Sequence, residues 1–191
     1  MTTLLFIRHA ETDLAGTFCG RTDPPVNESG QKQIGALVAG LRGKHLKAIV
    51  TSDLLRARTT AAVLAEELGL PTTVEADLSE IDFGSWDGLF WKQVEQLDPD
   101  RATRWIKEYP NVSPPHGEPF GDFKSRVLAA VSRVQAKFDN EHVAVITHGG
   151  VMRIVLQELC GKSGEDAWAL TRTYCCSFSC SLTNASDGVP R

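Results

Sequence analysis

The chain alternates between short, wholly apolar runs and longer stretches whose apolar residues recur every three or four positions. Residues 4–7, Ala48-Ile49-Val50 and residues 143–146 are the apolar runs, and each reads as a strand buried on both faces. After the first, Asn27 can cap a helix with Ile34, Leu37, Val38 and Leu41 on one face, stopped by Gly43. After the second, Thr51-Ser52-Asp53 offers capping oxygens for a helix burying Leu54, Ala57, Ala61, Leu64, Ala65 and Leu68, ended by Gly69 and Pro71. From Glu118 onward, Phe120, Phe123, Val127, Val131, Val134 and Phe138 keep helical spacing. A helix through Val155 and Leu159 follows the third run, and a last strand is expected over residues 174–182. Such alternation predicts a three-layer α/β/α sandwich with a largely parallel central sheet.

Residues 84–118 break this rhythm. Trp86, Phe90, Trp91, Trp105 and Tyr109 are mixed there with Pro, Asp and Gly, which predicts a lid-like insertion of short helices and loops over the sheet. No repeat or linker appears, and 191 residues suit one domain over 1–191.

Composition narrows the function by exclusion. A net charge of -4 does not suit a nucleic-acid binder, so an anionic ligand would need a local cluster of cations. No run approaches a membrane span, and the apolar residues before Arg8 are too few for a secretory signal core. Five cysteines without regular spacing suggest a reducing cytoplasm rather than a disulfide scaffold.

The three apolar runs end in charged and polar residues: Arg8-His9, then Ser52 to Arg56, then His148-Gly149-Gly150. Parallel strands share a direction, so these ends should meet on one edge of the sheet, where open α/β sheets hold ligands. Arg56 would lie at a helix start, which also favours anions.

Four segments together resemble the histidine phosphatase superfamily, also called phosphoglycerate mutase-like: RHAET at 8–12, SDLLRARTTA at 52–61, LSEIDFGSWDG at 78–88 and THGG at 147–150. The resemblance implies His9 as nucleophile, with Arg8, Arg56 and His148 holding the phosphoryl oxygens and Glu80 as proton donor. Arg56 rather than Arg58 matches the family's position. Gly20 and Gly149 are implied as substrate contacts. Arg21 is either a further phosphate contact or an exposed loop arginine. Departures are Ala10 for the usual glycine, Ala15 where many members carry asparagine, and Pro119 for serine in a segment otherwise similar to the α-ribazole phosphatase and broad-specificity phosphatase branch.

The chemistry suits these residues. Guanidinium groups match phosphate oxygens in a bidentate fork. A neutral imidazole with one nitrogen tied to an acceptor, such as a backbone carbonyl, can attack phosphorus with the other. Glu80 would then protonate the departing alkoxide and activate water, with no metal or cofactor required. The expectation is a phosphomonoesterase acting on a small phosphorylated metabolite, α-ribazole 5'-phosphate being one candidate. The alternatives are a cofactor-dependent phosphoglycerate mutase and a degenerate phosphate- or partner-binding domain. Neither nucleic acid nor membrane is expected as partner, and the chain should be a monomer or homodimer. No cysteine is followed six positions later by the arginine of a cysteine-dependent phosphatase, and Cys175, Cys176 and Cys180 read as core residues. Gly161-Lys162-Ser163 lacks the first glycine of a P-loop.

Overall fold

A computed structural model describes residues 1–183, so the expected domain span of 1–191 runs beyond the described residues. β1 (Thr2–Arg8), β2 (Ala48–Thr51) and β4 (His142–Thr147) are the three apolar runs, joined by β3 (Thr72–Val74) and β5 (Ser177–Leu182). The sheet order is β3-β2-β4-β1-β5. All neighbours are parallel except β5, which runs antiparallel to β1. In register, Arg8 lies beside Thr147 and Thr51 beside Ile146, so the carboxyl ends of β1, β4 and β2 share one edge.

Alternation along the strands divides the core. Leu4, Phe6, Val143 and Val145 face α5 (Phe120–Lys137) and α6 (Gly149–Glu158), packing on Phe123, Val127, Val131 and Val155. Leu5, Ile7, Ala144 and Ile146 face α1 (Glu28–Leu41) and α2 (Leu55–Leu68), packing on Ile34, Val38, Ala61 and Leu64. Burial on both faces is why these strands read as unbroken apolar runs, and it makes the three layers.

Asn27 caps α1, its side chain accepting the Gly30 N–H at 2.8 Å. The start of α2 differs from expectation. Ser52 Oγ accepts the Leu54 N–H, but the Leu55 N–H is taken by Asp23 at 2.6 Å from a distant loop, and the Asp53 carboxylate accepts the Ser79 hydroxyl instead. The last strand is shorter than expected, beginning at Ser177. Two elements had no periodic signal. β3 is a three-residue edge strand with an exposed pattern, and α7 (Gly164–Thr171) is a short helix capped by Ser163.

Residues 84–118 hold a 3₁₀ turn (Gly84–Trp86), α3 (Trp91–Leu97) and α4 (Pro99–Glu108). Trp86, Val94 and Ala102 form a small apolar cluster of their own with Phe18, Phe83 and Trp105. The segment is tied to the loop after β1 by the Phe18 N–H to Leu89 carbonyl bond at 2.9 Å and its return from Gly88.

Candidate active site

At the end of β1 the His9 ring is buried, with Nδ1 2.7 Å from the Ala10 carbonyl oxygen. A carbonyl only accepts, so Nδ1 carries the hydrogen and the lone pair sits on Nε2. Burial, then the charges of Arg56 and Arg8, push the His9 pKa well below its ordinary value near 6.5. The ring is therefore neutral. The His148 ring lies 5.0 Å from it, centroid to centroid, and is kept neutral by burial first and then by Arg56, His9 and Arg8. His148 Nε2 is 2.8 Å from Ser52 Oγ. When Ser52 donates its hydroxyl hydrogen there, the ring proton sits on Nδ1.

Arg56 has no exposed surface. Its Nη1 donates to the Thr22 carbonyl and the Asp23 carboxylate, and its Nη2 to the carbonyls of Cys19 and Gly20. Four Nη hydrogens thus have four acceptors, and only Nε–H remains for a ligand. The bidentate fork expected of this arginine is absent, because the 19–23 loop consumes it. Arg8 differs. Its Nη1 donates to the carbonyls of Thr171 and Arg172, which leaves the edge formed by Nε and Nη2. Among the described residues, four buried side-chain polar atoms have no partner, and three are Arg8 Nε, Arg56 Nε and His148 Nδ1. Buried donors are seldom left unpaired outside functional sites.

Glu80 is also buried, its Oε1 accepting the Ile81 N–H at 3.0 Å and its Oε2 the Gly150 N–H at 2.9 Å, in the first turn of α6. A Cβ at Gly150 would stand 2.1 Å from Glu80 Oε1, so this position admits only glycine while the carboxylate stays in place. Behind Glu80, Arg126 donates to the carbonyls of Asp77, Ser79 and Glu80 and closes a two-bond pair with Glu118. Neither residue stood out in the sequence as part of a site.

The loop holding Cys19, Gly20 and Arg21 is pinned from both sides. The Asp87 carboxylate accepts the N–H groups of Gly20, Arg21 and Thr22, while Arg56 takes the carbonyls. A Cβ on Gly20 would meet the Ile81 carbonyl at 2.4 Å, so Gly20 permits close packing. Cys19 and Gly149 line the cavity, whereas Gly20 and the exposed Arg21 do not. Arg58 is exposed on α2, and His116 is exposed outside the cavity lining.

A cavity of about 1080 Å³ opens over His9, Arg8 and Glu80. Phe18, Phe83, Trp91, Trp105, Tyr109 and Phe120 wall it from one side. The other side holds residues that sequence reading missed. The Arg8 guanidinium lies 4.1 Å over the Tyr174 ring, and Arg153 lies 3.9 Å over the Trp168 ring. Arg153 follows Gly149 by four positions, so helical spacing alone put it on the site-facing side of α6. No group of His, Cys, Asp and Glu among the described residues is placed to hold a metal ion. No described helix is long and apolar enough to cross a membrane.

The chain is similar to known proteins along most of its length. The chain is 35% identical over 159 residues to a bifunctional protein of Mycobacterium tuberculosis, covering 82% of this chain but only 43% of that relative's length. It is 32% identical over 191 residues to phosphoserine phosphatase 1 of Hydrogenobacter thermophilus, covering 99% of this chain and 86% of that one. It is 29% identical to the adenosylcobalamin/α-ribazole phosphatase of Salmonella typhimurium, over 86% and 83% of the two chains. The solved structure of YhfR from Bacillus stearothermophilus matches with a TM-score of 0.81 at 28% identity, over 91% of this chain and 87% of that one. A family profile matches residues 4–187, and the chain belongs to the histidine phosphatase superfamily (branch 1).

Proposed function

We propose that the protein is a phosphomonoesterase working through a phosphohistidine on His9, without a metal. The observation that carries this reading is the neutral His9 ring, its Nδ1–H fixed on the Ala10 carbonyl, beside unpaired buried donors on Arg8, Arg56 and His148. In the first step His9 Nε2 bonds to phosphorus as the ester P–O bond breaks, and Glu80 gives its proton to the departing alkoxide. In the second step water attacks the phosphohistidine, the Glu80 carboxylate takes the water's proton, and inorganic phosphate leaves with His9 restored. Arg8, Arg56 and His148 neutralise charge on the phosphoryl oxygens in both transition states.

The cavity is large and aromatic on one side, which suits a small organic phosphate with apolar surface. Phosphoserine and α-ribazole 5'-phosphate are candidates through the names of the relatives. The test is hydrolysis of p-nitrophenyl phosphate with EDTA present, comparing wild type with His9→Ala. Turnover should resist the chelator and vanish in the variant, and peptide-level mass spectrometry of the trapped intermediate should find the phosphoryl adduct on His9. Equal rates in the two proteins would exclude His9 as nucleophile. Efficient isomerisation of 3-phosphoglycerate in the presence of a bisphosphoglycerate primer would favour a mutase instead.

A further inference from the structure

We infer that Arg153 is a specificity residue that receives a carboxylate carried on the leaving group of the substrate, at a subsite built between Trp168 and Glu80. The inference rests on the phosphatase reading above and narrows its substrate class to carboxylated phosphomonoesters.

The guanidinium is held in place by two contacts: its face lies on the Trp168 ring at 3.9 Å, and its Nε–H donates to Thr171 Oγ1 at 3.1 Å. Thr171 Oγ1 in turn donates to the Ala167 carbonyl, which makes it a fixed anchor. The two Nη groups are left over, the pair of donors that matches the oxygens of a carboxylate. They are close to Arg8. A Cβ built on Gly149 would lie 3.2 Å from Arg153 Nη2 and 3.8 Å from Arg8 Cζ, so two cations flank one glycine. Two guanidiniums so near in a partly buried wall repel unless anions separate them.

Charge around the cavity points the same way. Lys124 and Glu158 pair at 2.7 Å, leaving Arg8, Arg153 and Arg172 against Glu80 among the lining residues. The phosphoryl group accounts for Arg8. Arg153 is set back from the nucleophile: its charged neighbours are Glu80, Arg8 and Tyr109, whereas the charges that depress the His9 pKa are those of Arg56 and Arg8. Glu80 marks where the leaving oxygen must be, because it protonates that oxygen. A cavity-lining cation that neighbours Glu80 and is set back from His9 is therefore placed to meet the leaving group.

The experiment uses two ligands of the same size, 3-phosphoglycerate and glycerol 3-phosphate, which differ in a carboxylate against a hydroxymethyl group. Each is measured as a competitor of p-nitrophenyl phosphate hydrolysis, so a Ki is obtained whether or not it is turned over. Wild type should bind the carboxylated member about 30-fold more tightly, as expected for a charge-assisted pair of hydrogen bonds. In Arg153→Met that preference should shrink below about threefold, and Arg153→Lys should restore part of it. A wild-type preference near unity, or equal weakening of both ligands in Arg153→Met, would overturn the inference while leaving the phosphatase reading intact. Absence of p-nitrophenyl phosphate turnover in wild type would remove both.

Discussion

The two ends of the cavity are made differently. At the end proposed to take the phosphoryl group, His9, Arg8, Arg56 and Glu80 are each fixed by backbone groups: the Ala10 carbonyl, the carbonyls of Thr171 and Arg172, those of Cys19, Gly20 and Thr22, and the N–H groups of Ile81 and Gly150. At the aromatic end, Phe18, Trp91, Trp105 and Tyr109 are held mainly by ring contacts, with centroids 5.3–6.5 Å apart. Backbone-fixed groups have one position and suit a reaction with one geometry. Rings packed on rings can be exchanged for other rings, which suits a wall that selects the leaving group. The difference implies that changes at the first end cost rate and changes at the second cost selectivity.

The largest expected effect tests the first half of that contrast. Glu80→Gln keeps the shape and removes the proton, so kcat/KM on an alkyl phosphate should fall about 1000-fold, with a loss nearer tenfold on p-nitrophenyl phosphate. Equal losses on both would show that Glu80 is not the acid. Gly150→Ala leaves every catalytic side chain in the sequence but drives a methyl group against Glu80 Oε1. Displacing the acid by about 1 Å should cost on the order of a hundredfold in kcat on alkyl phosphates, and a near-normal rate would mean that its position is not critical.

A pH profile is the next discriminator. An unfolded histidine gains its proton near pH 6.5, whereas folded His9 and His148 are held neutral to well below that. The kcat/KM profile, corrected for substrate ionisation, should therefore stay level as pH falls through about 6.5. Stability moves in the opposite sense. The unfolded chain binds protons that the folded chain refuses, so stability is complete above about 6.5 and declines as pH drops from there toward the lowered folded pKa values. Denaturant melts at several pH values would reveal a rising slope with pH in this window. The smallest effect belongs to the far wall. Trp168→Ala removes the surface under Arg153, and KM should rise about fivefold, more than kcat falls. A pure kcat effect would place Trp168 in the chemistry rather than the wall.

The same division decides how much could be read from the sequence. The strand ends were legible because burial on both faces forces an unbroken apolar run, and its abrupt stop at Arg8 or His148 marks the sheet edge. The supports were not. Asp23 and Asp87 are loop carboxylates whose value lies in the N–H groups they accept, and no periodicity announces such a role. The same holds for Arg126, a charge inside α5 whose acceptors are carbonyls of the 77–80 loop. Arg153 had the right spacing on its helix, but its partner Trp168 sits on α7, which has only Ala167 and Thr171 buried and so carried no helical stripe. The fork expected of Arg56 failed for a related reason: the carbonyls that occupy it belong to an irregular loop.

The place of β1 in the sheet carries a consequence for durability. β1 is paired along its length with β4 on one side and β5 on the other. The strand that carries the proposed nucleophile is therefore an interior one, and it is not an edge that can peel away. Amide protons of residues 4–7 should exchange with deuterium only when the entire sheet opens. Heating should accordingly leave catalytic competence intact until the cooperative melt, with enzymatic death and global collapse following one curve.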